Sequence, residues 1–214
     1  MKKLTFFIVL VSIGMLLKVN AQELMPDNYD GIPQSNKVRI FMDNFDDNKY
    51  YWVKNTSPST HQIVDGYFLF SNDYGFPYTD GKPISFDPTK NFEIETRIKF
   101  VSGDVEKFSG IFWGELIFGD KYFMSFSSIG KYKIEKEVGL QTETLVEPVK
   151  SEIINSTADN SLIIRKYNDK YYFFINKNLV YTMDYETLPG QYIGFTVAEK
   201  SMVQINFLRL WYIE

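Results

Sequence analysis

The sequence contains no cysteine. That excludes disulfides, thiol catalysis, thiolate metal sites and a lipidated N-terminal cysteine. It has a single histidine, His61, so two-histidine metal motifs are excluded, and any catalytic triad would have to be built around that one residue. With no partner motif nearby, His61 reads as an ordinary surface residue at the edge of a loop. Long apolar runs are confined to the N-terminus, and beyond it no stripe at 3.6-residue spacing lasts long enough for a convincing helix. There is no internal repeat and no low-complexity tract.

Residues 1–21 read as a secretory signal peptide. Lys2 and Lys3 give a basic start, Leu4 to Leu17 is mostly apolar, and Val19-Asn-Ala21 is a small-residue site with cleavage predicted after Ala21. The alternative, an uncleaved anchor, is disfavoured by the shortness of the run. The expected mature chain is exported (periplasmic, cell-surface or extracellular) and carries no membrane span. Loss of three lysines leaves 20 Lys plus Arg against 27 Asp plus Glu, a net charge of −7. A net acidic surface disfavours nucleic acid as a partner, because phosphate binding needs clustered cations.

Aromatics are abundant, with 19 Phe, 15 Tyr and 3 Trp, enough to build a core without disulfides. Residues 22–37 are polar and aperiodic and read as a tether or an irregular arm. In the run from Asn91, residues Phe92, Ile94, Thr96, Ile98 and Phe100 alternate with Glu93, Glu95, Arg97 and Lys99. The period of two predicts a strand with one buried and one wet face, which makes Glu93 and Glu95 part of a solvated face. Further strands are predicted at 38–42, 61–71 with an Asp65-Gly66 hairpin turn, 84–87, 109–118, 122–127, 132–138, 161–167, 171–175, 179–183, 192–198 and 202–213. Residues 72–83 read as a loop, and 139–157 as a less regular segment. So many short strands joined by polar turns mean one all-β domain over residues 38–213, an antiparallel two-sheet sandwich or barrel.

Strand 109–118 splits into two faces. Phe112, Leu116 and Phe118 lie on one with Gly110 and Gly114; Ile111, Trp113, Glu115 and Ile117 lie on the other. Two assignments are open. If the Phe face is core, Trp113 and Glu115 project from the sheet, where an indole stacks on a pyranose and a carboxylate accepts hydroxyl hydrogen bonds. Ser125, Ser127, Lys133 and Glu135 would share that face. If the faces are reversed, Trp113 is core. Tyr74, Phe76 and Tyr78 serve either as binding anchors in an exposed loop or as a rim folded back on the sandwich. Asp43, Asp46 and Asp47 read as a polar turn, since calcium-loop spacing is absent.

The order of signals resembles a known family. Phe45-Asp-Asp-Asn48 and Trp52 precede Asp65-Gly-Tyr67. Asn91-Phe-Glu-Ile-Glu-Thr-Arg-Ile98 and Ser109-Gly-Ile-Phe-Trp-Gly114 follow. Then come Tyr122-Phe-Met-Ser-Phe-Ser127, Asn160-Ser-Leu-Ile-Ile-Arg165 and Tyr192-Ile-Gly-Phe-Thr-Val197. This pattern, over roughly residues 38–213, is similar to the concanavalin A-like lectin/glucanase jelly roll, nearest the bacterial exported modules grouped with 3-keto-disaccharide hydrolases and glucanase-like domains. The resemblance implies two stacked antiparallel sheets with a concave sugar-binding face. It implies a glycan or cell-envelope protein as partner and no cofactor. Asn206 stands where many such domains carry Asp, which weakens the case for a structural calcium ion. The Glu-x-Asp-x-x-Glu strand motif of the glucanases is missing, so a non-catalytic binding module is favoured over a glycoside-type hydrolase of the 3-keto-disaccharide type. A structural subunit of an envelope complex is the third reading.

Overall fold

The computed structural model describes residues 24–56, 59–116, 119–139, 141–187 and 190–214. The proposed signal peptide lies outside them. The chain opens with β1 (Lys37–Asp43), β2 (Asn55–Thr56), β3 (Ser59–Val64), β4 (Tyr67–Asn72) and β5 (Tyr78–Pro83). Then come β6 (Phe92–Ser102), β7 (Ser109–Glu115), β8 (Lys121–Phe126), β9 (Lys131–Val138) and β10 (Gln141–Lys150). It closes with β11 (Asn160–Tyr167), β12 (Lys170–Ile175), β13 (Asn178–Asp184), β14 (Tyr192–Val197) and β15 (Ser201–Ile213).

These strands form two antiparallel sheets. The nine-stranded sheet runs β13-β12-β11-β6-β15-β4-β3-β2, with β1 also paired to β15. The six-stranded sheet runs β10-β9-β8-β7-β14-β5. β15 is the spine of the larger sheet: β6 accompanies nearly all of it, while β4 and β1 share its other side in succession. The core lies between the sheets. Phe92, Ile94 and Ile98 of β6 and Leu162 and Ile164 of β11 meet Ile111, Met124, Ile134 and Phe195 from the opposite sheet, all buried. The period of two predicted for β6 is thus the observed inward face. Phe45, Trp52, Phe68 and Phe195 close one end of the core, with ring centres 5.4–6.4 Å apart.

The tight turns follow from their residues. Asp65 and Gly66 both have positive φ, as do Asn176 and Lys177, the geometry of two-residue hairpins. Two segments differ from expectation. Residues 78–83, predicted as loop, form the edge strand β5, whereas 84–87 form no strand. Residues 141–150, predicted as irregular, form β10. It is an edge strand exposed along most of its length, so burial imposes no alternation on it, and its register shifts twice around Val146, beside Pro148.

The solvated face expected of β6 is also corrected. Glu93 is fully buried although it points away from the core. Its carboxylate accepts from Lys37 Nζ and, at 2.7 Å, from Arg165 Nε. Three of the four remaining guanidinium hydrogens go to the Pro26, Asn28 and Tyr29 carbonyls at 2.7–2.8 Å. The N-terminal arm is therefore fixed over the outer face of the larger sheet by this charge cluster. Within it, an added Cβ at Gly31 would come 2.1 Å from the Met25 carbonyl oxygen, so the arm closes only around glycine. Burial pushes the neighbouring Glu95 carboxyl upward, and the Glu93 charge adds to it.

Candidate functional site

The outer face of the six-stranded sheet is set by a break in alternation on β7. Tyr192 lies opposite Glu115 and Ile193 opposite Trp113, so Gly114, at φ +83°, is an extra residue in the ladder. Trp113 points into the core. It is fully buried, stacks on Tyr122 at 5.4 Å and touches Tyr171 and Phe173. Glu115, moved to the opposite face by the bulge, meets Lys121. The predicted projection of Trp113 beside Glu115 is therefore corrected: the two lie on opposite faces of the sheet. Phe112, expected in the core if Trp113 projected, lies on the outer face, only 1% exposed. It fits because Gly81 has no side chain: a Cβ there would come 2.5 Å from the Phe112 ring. Leu116 is 59% exposed, and residues 117 and 118 lie outside the described residues.

On that face a groove of about 350 Å³ crosses the strands. Pro77 and Thr79 line it at the β5 end, then Thr196 of β14, Phe123 and Ser125 of β8, Lys133, Glu135 and Glu137 of β9, and Thr142 of β10; Lys121 and Phe108 complete it. Its charges are paired within the groove. Lys121 Nζ lies 2.7 Å from Glu115 Oε1 and 3.4 Å from Glu137 Oε1, and Lys133 Nζ lies 2.7 Å from Glu135 Oε1. Phe108 and Phe123 are half-buried at its surface. Ser125 and Thr196 are only 3% and 7% exposed. Like Thr79 and Thr142, their hydroxyls make no side-chain hydrogen bond among the described residues, although a hydroxyl both donates and accepts.

Of the residues singled out from sequence, Ser125, Lys133 and Glu135 line this groove, and Glu115 reaches it through Lys121. Ser127 does not line it; its Oγ accepts from the Lys131 backbone N–H in the β8–β9 turn. Tyr74 is sandwiched between Phe76 and Tyr78, with ring centres 5.1 and 5.3 Å away. Tyr78 rests on Phe70 and His61 at the sandwich edge, while Phe76 is exposed. The stack stands where Pro77 brings the chain into the groove. Thr79, Phe108, Phe123, Lys121, Glu137, Thr142 and Thr196 escaped the sequence reading. The alternation Lys121-Phe123-Ser125 on β8 was the available signal.

No family model and no curated protein sequence matches the chain. Solved structures do. The endo-β-1,3-glucanase of Pyrococcus furiosus superposes with a TM-score of 0.58 at 14% identity, over 86% of this chain and 97% of that one. The Bacillus licheniformis β-glucanase gives 0.57 at 12%, over 81% and 97%. The CBM2 module of the evolved Dit of Lactobacillus casei BL23 phage J-1 gives 0.55 at 10%, over 83% and 96%.

The fold is the concanavalin A-like jelly roll. At such identities the likeness is one of fold.

Elsewhere in the jelly roll, His61 is fully buried, contrary to its expected surface position. Its ring meets Phe70 edge-on at 4.3 Å, and Nδ1 lies 3.3 Å from Asp80 Oδ2, joining the two sheets at the β3–β5 edge. Asp80 also pairs with Lys54. The aspartates after β1 are local in effect. Asp43 accepts from the Phe45 backbone N–H and the Trp52 indole at 2.9 and 2.8 Å, and burial pushes its carboxyl upward. Asp47 caps the Lys49 N–H. Among the described residues no three His, Asp or Glu side chains converge as a metal site. Asn206 donates to Asp159 at 3.0 Å. No helix among the described residues is long and apolar enough to cross a membrane.

Proposed function

We propose that this jelly roll is an exported, non-catalytic carbohydrate-binding module whose ligand lies across the outer face of the six-stranded sheet. One observation carries the reading. The hydroxyls of Ser125 and Thr196 open into a groove rimmed by Phe108 and Phe123 and make no side-chain hydrogen bond among the described residues. Hydroxyls free to donate and accept, alternating with rings, match the alternating hydroxyl and C–H surfaces of a sugar. The glucanases and the CBM2 module that share the fold are in keeping with a carbohydrate ligand. The basic, apolar start of the chain supports export to the cell surface or beyond.

A glycoside-type hydrolase needs two carboxylates facing each other across a gap open to the scissile bond. Here Lys121 Nζ stands between Glu115 and Glu137, and Lys133 is held by Glu135. That occupancy favours binding over hydrolysis of the 3-keto-disaccharide type.

The test is affinity electrophoresis of the purified protein on a panel of polysaccharides, with reducing-sugar release measured in parallel. Retention by at least one polysaccharide is expected, weakened about tenfold or more in Phe123→Ala at unchanged thermal unfolding. No retention on any polysaccharide would overturn the proposal. Sugar release that disappears in Glu137→Gln would replace it with the hydrolase.

A further inference from the structure

We infer that the groove selects an uncharged glycan and discriminates against uronate and sulfated sugars; this rests on the carbohydrate-binding reading above. Its two cations are both committed. Lys121 bridges Glu115 and Glu137, and Lys133 is held by Glu135. Three carboxylates thus surround two ammonium groups, an excess of one negative charge. Each ammonium is also seated over an aromatic ring: Lys121 lies 5.9 and 5.8 Å from the Phe112 and Phe123 centres, and Lys133 lies 5.0 Å from that of Phe108. An anionic sugar would have to draw a lysine away from both its carboxylate and its ring.

Among the described residues no arginine lines the groove. The planar fork that recognises carboxylate or sulfate through two parallel hydrogen bonds is missing. The recognition capacity that is left is hydroxyl in kind. Thr79, Ser125, Thr142 and Thr196 each offer one donor and accepting lone pairs, and Ser125 and Thr196 are held in place by adjoining ladders of the sheet. The field around the groove points the same way, since the expected mature chain is acidic overall, 20 Lys plus Arg against 27 Asp plus Glu, and a polyanion meets repulsion before contact.

The experiment measures retention of the purified protein on neutral probes (laminarin, mixed-linkage glucan, galactan), anionic probes (polygalacturonate, chondroitin sulfate) and a cationic probe, chitosan. Each is run at about 0.05 M and about 0.5 M salt, where surface electrostatics are respectively strong and screened. At least one neutral probe is expected to bind at least about tenfold more tightly than either anionic probe, with little change between the two salt levels. Tighter binding to an anionic probe or to chitosan, lost at high salt, overturns the inference while leaving carbohydrate binding standing. Retention on none of the probes overturns both. Glu135→Gln supplies an internal check. It frees the Lys133 ammonium, so the ratio of anionic to neutral affinity is expected to rise about tenfold. A ratio that does not move shows that the pairing of Lys133 does not set selectivity and overturns the inference.

Discussion

Arg165 and Glu93 form an ion pair that water does not reach: Nε lies 2.7 Å from Oε2 and both side chains are fully buried. They come from adjacent strands, β11 and β6, and sit directly opposite each other in the ladder. What shields them is the N-terminal arm, whose carbonyls at Pro26, Asn28 and Tyr29 take three of the four remaining guanidinium hydrogens. The charge cluster holds the arm and the arm encloses the cluster, so neither arrangement stands without the other. Arg165 also lies 4.9 Å from the Phe174 ring centre, which covers its flat face.

Breaking the pair is therefore expensive. Glu93→Gln leaves Arg165 and Lys37 buried beside a neutral amide, and the expected loss of stability is about 3–5 kcal/mol. Arg165→Lys is expected to cost nearly as much, because one ammonium cannot reach Glu93 and three separate carbonyls. Denaturant unfolding of both variants checks this. A Glu93→Gln loss below about 1 kcal/mol would mean that the arm does not enclose the pair.

Trp113 and Phe123 are expected to behave in opposite ways. Trp113→Ala opens a void between the sheets and should cost about 3–5 kcal/mol of stability, while ligand affinity, measured where the variant is folded, stays near wild type. Phe123→Ala is expected to leave the unfolding midpoint almost unchanged and to weaken retention on the polysaccharide. Calorimetric unfolding alongside affinity electrophoresis separates the two. Loss of binding in a folded Trp113→Ala protein would show that the indole reaches the ligand.

That contrast marks where alternation stops being readable. Along β6, alternation identifies the inward face at Phe92, Ile94 and Ile98, because the extra residue where its ladder with β15 shifts, Asn206, lies on β15 and leaves β6 itself regular there. Along β7, one inserted glycine reverses the relation between Trp113 and Glu115, and a glycine in a strand does not announce whether it is a bulge. The burial of Glu93 was hidden for another reason. Its cover comes from an arm some sixty residues away, and its partner Arg165 from a strand 72 positions on. His61 was hidden likewise, since it is enclosed by β4 and β5 across the sandwich edge. Local pattern reports local geometry, and these enclosures are long-range. The groove falls in between: Ser125, Lys133 and Glu135 were expected on the face of Trp113 and share a face without it, while Thr79 and Thr196 needed the strand order.

Glycine spacing in the smaller sheet leads to a steric prediction. A Cβ at Gly194 would come 2.1 Å from the Asp80 carbonyl oxygen and 2.3 Å from Gly81 Cα, both backbone atoms that cannot move aside cheaply. Gly194→Ala is expected to cost about 1–3 kcal/mol or more through displacement of β5 from β14. At Gly75 nothing lies within 4 Å of an added Cβ, so Gly75→Ala should fall within about 0.5 kcal/mol of wild type. Thermal unfolding of the pair is the measurement, and equal midpoints would mean that β5 does not approach β14 so closely.

The acid limb of stability is expected to report on Asp80. Burial by itself pushes this carboxyl upward, but His61 and Lys54 beside it more than offset burial, and the net direction is down. A carboxyl lowered in the folded state binds fewer protons there than in the unfolded chain. Stability therefore rises with pH across the interval between the two values. The contribution is present in full above the ordinary aspartate range, about pH 4, and is lost as pH falls through the lower folded value. Asp80→Asn removes it and leaves His61 without its carboxylate, at an expected cost of about 1–3 kcal/mol near neutrality, since Lys54 is partly exposed and its pairing is screened. Urea midpoints taken from neutral pH down to about pH 3 should fall more steeply for wild type than for Asp80→Asn below about pH 4, so that the two curves converge in acid. Parallel curves would show that the tie between β3 and β5 does not depend on the Asp80 charge.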